Sequence, residues 1–176
     1  VRNHAILMLQ KSLTGVDGID ILNDLRLLCF DQVIFALLDD LLELAKESSP
    51  KDYLKMEGSL VLSLKLLSKV FLQLLPRISQ LTTFSNLWLK VLNHFKIYMK
   101  LKFRGKRCEK IHELVPELLK NTLLVMKTCE ILVPGDDNED DSLWKLTWLH
   151  VKDIAPSLQL EIFPLNEMKQ LQSNSS

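Results

Sequence analysis

The chain of 176 residues carries 22 basic and 22 acidic side chains, so its formal net charge is zero, which argues against nucleic-acid binding by bulk charge while leaving local patches open. Apolar residues make up 47% and charged residues 25%, the balance of a folded globular chain, and 5 Gly with 6 Pro exclude collagen-like, low-complexity or Gly-loop architectures. Three Cys without paired spacing make no disulfide framework, which points to a reducing compartment.

Val1 opens inside an apolar helical pattern, which reads as a piece of a longer chain. No basic start followed by an apolar run and a small-residue cleavage site marks a secretory signal. The densest apolar run, over residues 60–75, is broken by Lys65, Lys69 and Gln73, short of the roughly 18 uninterrupted apolar residues of a transmembrane segment.

Helical spacing dominates in chain order. Residues 1–13 read as a short amphipathic helix, ended by a turn that Gly15 and Gly18 bracket. Residues 19–29 form a second helix. Asp31 is placed to cap a third, where Val33, Ile34, Leu37, Leu38, Leu41, Leu42 and Ala45 form a wide apolar stripe. Ser49-Pro50 is a start signal, because serine accepts from free backbone N–H groups and proline suits the first helical position. The helix that follows is expected to run to about Leu75 and stop at Pro76. It is greasy on two sides: Leu60, Leu64, Leu67, Phe71 and Leu74 on one, Leu62, Leu66 and Val70 on the other. Both faces are therefore expected to be buried between neighbours.

Thr83 is the next cap, with Phe84, Leu87, Trp88, Val91, Phe95 and Tyr98 on one side of its helix. A basic stretch runs to Lys110. A long helix then carries Ile111, Val115, Leu118, Leu119, Thr122, Val125, Met126 and Cys129, and Pro116 either kinks it or marks the first turn of a new one. Residues 134–141 are a loop with five acids in six positions, Asp136, Asp137, Glu139, Asp140 and Asp141. A last helix over residues 142–153 carries Trp144, Thr147, Trp148 and Val151, after which Pro156 and Pro164 break up the chain and residues 169–176 turn polar and Ser-rich.

Leucine supplies 39 residues and no segment alternates β-branched residues over a strand length, so the reading is all-α. Apolar faces on two sides of a helix favour a HEAT or armadillo-like solenoid of about six to eight helices over a closed bundle, although no exact repeat recurs at the usual period. The expected organisation is one helical-repeat domain over residues 1–165 and a polar tail over 166–176. A segment of an array is expected to expose an apolar patch at Val1, Ile6 and Leu9, where a preceding repeat stacks.

Catalytic and metal signatures are sparse. The Gly-rich phosphate loop is absent, and Gly15 and Gly18 are accounted for by a turn. Cys108 and His112 share a helix face at ligand spacing, but two ligands do not make a metal site. His4, His94 and His150 are scattered, and no Ser or Cys sits in a nucleophile signature. Asp39 with Asp40, and Glu113 with Glu117, read as solubilising carboxylates, and the acidic loop lacks the alternation of a calcium loop. No catalytic residue, metal or cofactor is assigned. Trp144 and Trp148, one turn apart, are either core packing or an aromatic anchor for a partner.

Charge is segregated despite the zero total. Residues 61–130 hold 13 basic and 4 acidic side chains, against 6 and 10 before them and 3 and 8 after. The excess centres on Lys96, Lys100, Lys102, Arg104, Lys106, Arg107 and Lys110, a solvated face or a contact site for anionic lipid or an acidic partner. Lys96, Lys100 and Arg104 align if the helix continues that far, and the acidic loop offers an alternative partner that neutralises the patch.

The run Phe103-Arg104-Gly105-Lys106-Arg107, with Glu113-Leu114-Val115-Pro116-Glu117-Leu118-Leu119-Lys120-Asn121-Thr122-Leu123-Leu124-Val125-Met126-Lys127, resembles the C-terminal region of the large Arf guanine-nucleotide exchange factors. The likeness is strongest to the plant GNOM and GNOM-like branch of the GBF class. It continues in Leu143-Trp144-Lys145-Leu146-Thr147-Trp148-Leu149-His150-Val151, in Ile154-Ala155-Pro156-Ser157-Leu158-Gln159, and upstream in Val1-Arg2-Asn3-His4-Ala5. The resemblance implies a cytosolic parent that associates peripherally with Golgi or endosomal membranes and loads Arf GTPases with GTP for vesicle budding. It further implies that this segment is a non-catalytic helical module contacting other helical regions of the same parent. Exchange in that family is carried by a glutamate on a Leu-Pro-Gly-Glu loop of a central domain, a loop this sequence lacks, so no catalytic residue carries over. The competing reading is a scaffold segment of another HEAT-repeat trafficking protein with no exchange domain.

Overall fold

A helix runs from Leu25 to Glu47 without a break. Its middle, Cys29–Phe35, winds as a π-helix, and Ala36–Glu47 (α1) returns to α geometry. These elements come from a computed structural model that describes residues 25–49, 52–103, 106–134 and 142–165. The expected helix over 1–13, its glycine turn, the patch at Val1, Ile6 and Leu9, the acidic run over 136–141 and the tail over 166–176 lie outside the described residues.

Asp31 does not cap a helix. It sits within the π segment, and its carboxylate accepts from Lys90 Nζ at 2.7 Å. The wider turn brings Phe30, Ile34 and Phe35 together on the core side, which explains why the chain winds through Asp31.

Tyr53–Ile78 (α2) follows, then Phe84–Lys100 (α3), the two-residue strands Lys102–Phe103 (β1) and Lys106–Arg107 (β2), Glu109–Thr128 (α4), Leu143–Val151 (α5) and Leu158–Ile162 (α6). The fold is all-α, with one short antiparallel hairpin that the sequence reading did not foresee. α2 runs past Pro76 instead of stopping there. A proline forfeits one backbone hydrogen bond, and burial of Leu75 and Ile78 holds the last turn. Pro116 lies inside α4. Thr83 stands at the N-cap of α3, but only its carbonyl bonds forward, to Leu87 N–H at 3.1 Å. Ser142 does cap α5: its hydroxyl accepts from Lys145 N–H at 3.2 Å.

The helices stack in two layers. α2 packs on α4, and α4 on α6; in the other layer α3 packs on α5 and is tied back to α1 by hydrogen bonds from Tyr98 and His94. Between layers, α1 pairs with α2, α3 with α4 and α5 with α6. Each helical hairpin thus lays its first helix on the first helix of the next, and its second on the second. That is the architecture of an α-solenoid.

The face of α3 read from the sequence is the centre of the core. Phe84, Leu87, Trp88, Val91, Phe95 and Tyr98 are all buried. Trp88 and Phe84 stack on Phe71 of α2, with ring centroids 5.3 and 6.2 Å apart. Tyr98 donates to Leu38 O of α1 at 3.1 Å and lies 3.4 Å from Ser63 Oγ of α2.

Among the described residues α2 has one buried face, where two were expected. Leu60, Leu64, Leu67 and Phe71 are fully buried, whereas Leu62 is 69% and Leu66 41% exposed and Val70 is half-buried. At about 100° per residue, Leu62 and Leu66 point away from the arc that α1 and α4 cover, and no described element lies there. α2 is the one described helix long and apolar enough to cross a membrane. Its packing on α1 and α4 is that of a core helix of the stack.

Gly58 is an exposed residue inside α2, and a Cβ there meets nothing within 4 Å. Gly58→Ala is expected to stabilise the chain by about 0.5–1 kcal/mol in urea denaturation, and a destabilised variant contradicts the helix assignment there. Burial pushes the Tyr98 hydroxyl up from 10.0 to about 12, helped by the charge of Asp39 and opposed by the hydrogen bond with Ser63. The neutral phenol is therefore favoured by folding. Its contribution is complete below pH 10 and is lost as pH rises toward 12. Tyr98→Phe should lose stability at neutral pH yet fall less steeply between those limits, and parallel curves for the two proteins would count against the buried phenol.

Candidate anion-binding site

Lys100 is the last residue of α3, and Leu101 turns extended, with its N–H bonded to Tyr98 O at 3.1 Å. The helix therefore does not extend Lys96 and Lys100 into a continuous stripe reaching Arg104. The chain instead enters the β1–β2 hairpin, whose register sets Lys102 opposite Arg107 and Phe103 opposite Lys106. Cys108, buried at the N-cap of α4, fixes the far end, its carbonyl accepting from Ile111 and His112 N–H at 3.1 and 3.0 Å. Arg104 and the side chain of Lys106 lie outside the described residues.

The seven sequence-picked cations divide by partner. Lys96 is hydrogen-bonded to Asp153, just beyond α5. Lys110 reaches Glu57 of α2 at 3.1 Å, compensating a carboxylate that is 8% exposed, so this cation serves to couple α2 to α4. Lys100, Lys102 and Arg107 are exposed and have no carboxylate partner among the described residues. They line an open cavity of ≈ 580 Å³ together with Lys96, Met99, His112, Asp153 and Ile154. The hydrogen bond and charge of Lys96 hold the Asp153 carboxyl below its usual range, with Lys152 and Lys100 adding to the effect, so the one acid in the cavity stays ionised. A neighbouring cavity of ≈ 510 Å³ shares Lys100 and Lys102 but also holds Asp39, Glu43 and Lys46, and its charge is closer to balance.

Sequence reasoning missed Asp153, Met99, His112 and Ile154 as parts of this cavity. The spacing of His112 and Cys108 suggests metal ligands, and no group of three metal-ligating side chains occurs among the described residues. His112 Nε2 is buried and has no hydrogen-bond partner among the described residues. Asp153 lies 57 residues from Lys96 in sequence, so no local signal points to it.

Trp144 and Trp148 meet Phe163 in edge-to-face contacts, with centroids 4.7 and 6.0 Å from it and 5.3 Å from each other. Lys127 sits 4.7 Å over the Phe163 ring and donates to Ile162 O at 2.7 Å. Trp148 is buried and Trp144 half-buried, so most of both rings is spent on joining α5, α6 and α4.

Stacked hairpins with a cationic cleft at one inter-helix turn define an α-solenoid segment. Residues 1–158 match the family described as "GBF1-like, tetratrico peptide repeat region", and the chain belongs to it. It is 58% identical, over 97% of its length, to the ARF guanine-nucleotide exchange factor GNOM of Arabidopsis thaliana, and 54% identical over 100% to GNL1 of the same plant. A Golgi-specific brefeldin A-resistance guanine nucleotide exchange factor 1 homolog of Caenorhabditis elegans is 36% identical over 58% of the chain. The chain spans 12% of the length of the two plant relatives. No solved structure matches it.

The wall that carries Asp153 is held by one buried bond, from Trp88 Nε1 on α3 to Thr147 Oγ1 on α5, at 2.9 Å. Thr147→Val keeps the shape and strands a buried indole N–H, at a cost of about 1–3 kcal/mol. Chemical denaturation is expected to show that loss, with Thr147→Ser close to the parent; equal stability of the Val variant contradicts the bond.

Proposed function

We propose that this chain is a non-catalytic regulatory and membrane-targeting module of an Arf guanine-nucleotide exchange factor acting in vesicle trafficking. The observation that carries the reading is identity above one half, along nearly the whole chain, with two proteins named as ARF guanine-nucleotide exchange factors. The parent activates Arf GTPases by GDP/GTP exchange at Golgi and endosomal membranes, which it joins peripherally from the cytosol, and its exchange domain lies outside this segment. The exposed leucines of α1 and α2, Leu37, Leu44, Leu62 and Leu66, support contact with further helical regions of the same parent. The cations at Lys100, Lys102 and Arg107, which have no carboxylate partner among the described residues, support attraction to an anionic bilayer, where each is worth on the order of 1 kcal/mol. Lys96 and Lys110 already have carboxylate partners and contribute less.

Two measurements separate the roles. Residues 1–176 should leave nucleotide release from Arf at its background rate in a fluorescence exchange assay, since no acidic finger is present to disturb bound phosphate and magnesium. They should also float with phosphatidylserine-containing vesicles at low salt and release at higher ionic strength. Acceleration of release at micromolar protein contradicts the non-catalytic role, and equal flotation on neutral vesicles contradicts the targeting role.

A further inference from the structure

The hairpin register places two cations where a sheet normally avoids them. Lys102 and Arg107 are cross-strand partners, and like charges directly opposite one another destabilise a pair of strands. Both ends are nevertheless anchored: Leu101 closes on the last turn of α3, and Cys108 is buried at the start of α4. The folded helices thus hold a repulsive pair beside Lys100, on the rim of a cleft whose one acid is already engaged by Lys96. Met99 and Ile154 supply apolar wall in the same cleft.

We propose that this cleft is a binding site for a phosphomonoester-bearing polyol, with Arg107, Lys102 and Lys100 as the phosphate contacts. A guanidinium offers paired N–H donors matched to phosphate oxygens, and the two ammonium groups add point charge. Three cations without carboxylate partners among the described residues suit a multiply charged anion better than a single carboxylate. A volume of ≈ 580 Å³ is larger than one phosphate needs and falls in the range of small-molecule clefts, with apolar wall against which a sugar-like ring can lie. The same chemistry comes from two sources, a phosphoinositide lipid or a soluble inositol phosphate. The lipid source rests on the targeting reading above; the cleft itself does not.

The test uses residues 1–176 in two arms. Calorimetric titration with inositol trisphosphate reports the cleft, and flotation on phosphatidylcholine vesicles carrying phosphatidylinositol phosphate, or phosphatidylserine at matched surface charge, reports the source. Lys102→Gln with Arg107→Gln should weaken inositol trisphosphate binding about 30-fold, from two cation contacts. Lys65→Gln with Lys69→Gln, an equal charge loss on exposed α2 positions, should change it less than about threefold by screening alone. Asp153→Asn frees Lys96 and should tighten binding, a gain that an unfolded variant cannot produce. Preference for phosphoinositide over matched phosphatidylserine vesicles supports the lipid source. Titration without any flotation upholds the cleft and removes the targeting reading. Equal flotation on both charged vesicles without titration upholds targeting and overturns the cleft. Absence of both, or equal loss in the two double variants, overturns the proposal.

Discussion

A buried phenol at the end of α3 fixes the geometry on which the rest depends. Tyr98 donates to the backbone of Leu38 in α1 and meets Ser63 of α2, so one side chain joins three helices at the point where the chain is about to leave α3. Lys100 and the hairpin follow within a turn. Their direction is set by where Tyr98 is held, because the C-terminal residue Leu101 bonds back to the Tyr98 carbonyl. A second tie lies nearby, where the His94 ring stacks on Phe35 at 4.5 Å and reaches Asp39 at 3.1 Å. Burial without a partner would make a hydroxyl costly here; with Leu38 O as acceptor it locates the helix end.

The two-layer stack explains why charge gathers at this turn. Helix-to-helix packing consumes the apolar faces of α3 and α4, and the connection between them lies outside the layers, where cations keep their hydration. The carboxylates that reach this region come from elsewhere in the fold and are engaged one by one: Asp153 with Lys96, Glu57 with Lys110, Asp39 with His94 and Glu43 with Lys46. Among the described residues Lys100, Lys102 and Arg107 are left, the last two set opposite each other by the hairpin register and not by mutual attraction. An anion bound there relieves the repulsion among these cations, which is the physical basis of the proposed site.

Much of the helical frame was legible in the sequence. On α3 the apolar residues occupy one face, so spacing alone named Phe84, Leu87, Trp88, Val91, Phe95 and Tyr98 as core, and all are buried. α2 misled because leucines occupy both faces: periodicity identifies an apolar face but not whether a neighbour covers it, and Leu62 and Leu66 meet solvent. Pro76 suggested a stop, yet one missing hydrogen bond was outweighed by burial of Ile78 beyond it. The cationic residues were visible as a cluster, but their division into engaged and available members was not. That division depends on Asp153 and Glu57, which tertiary packing brings from distant parts of the chain. The hairpin escaped because two residues per strand are too few to show alternation.

Amide chemical-shift mapping by NMR of residues 1–176 titrated with inositol trisphosphate tests most directly the claim that the fold concentrates an uncompensated cationic cleft at the α3–α4 turn. Saturable shifts confined to Lys100, Leu101, Lys102, Arg107, His112 and Ile154 are predicted, with Lys65 and Lys69 unmoved. Shifts of similar size at lysines all over the surface, or none at the turn, would contradict it.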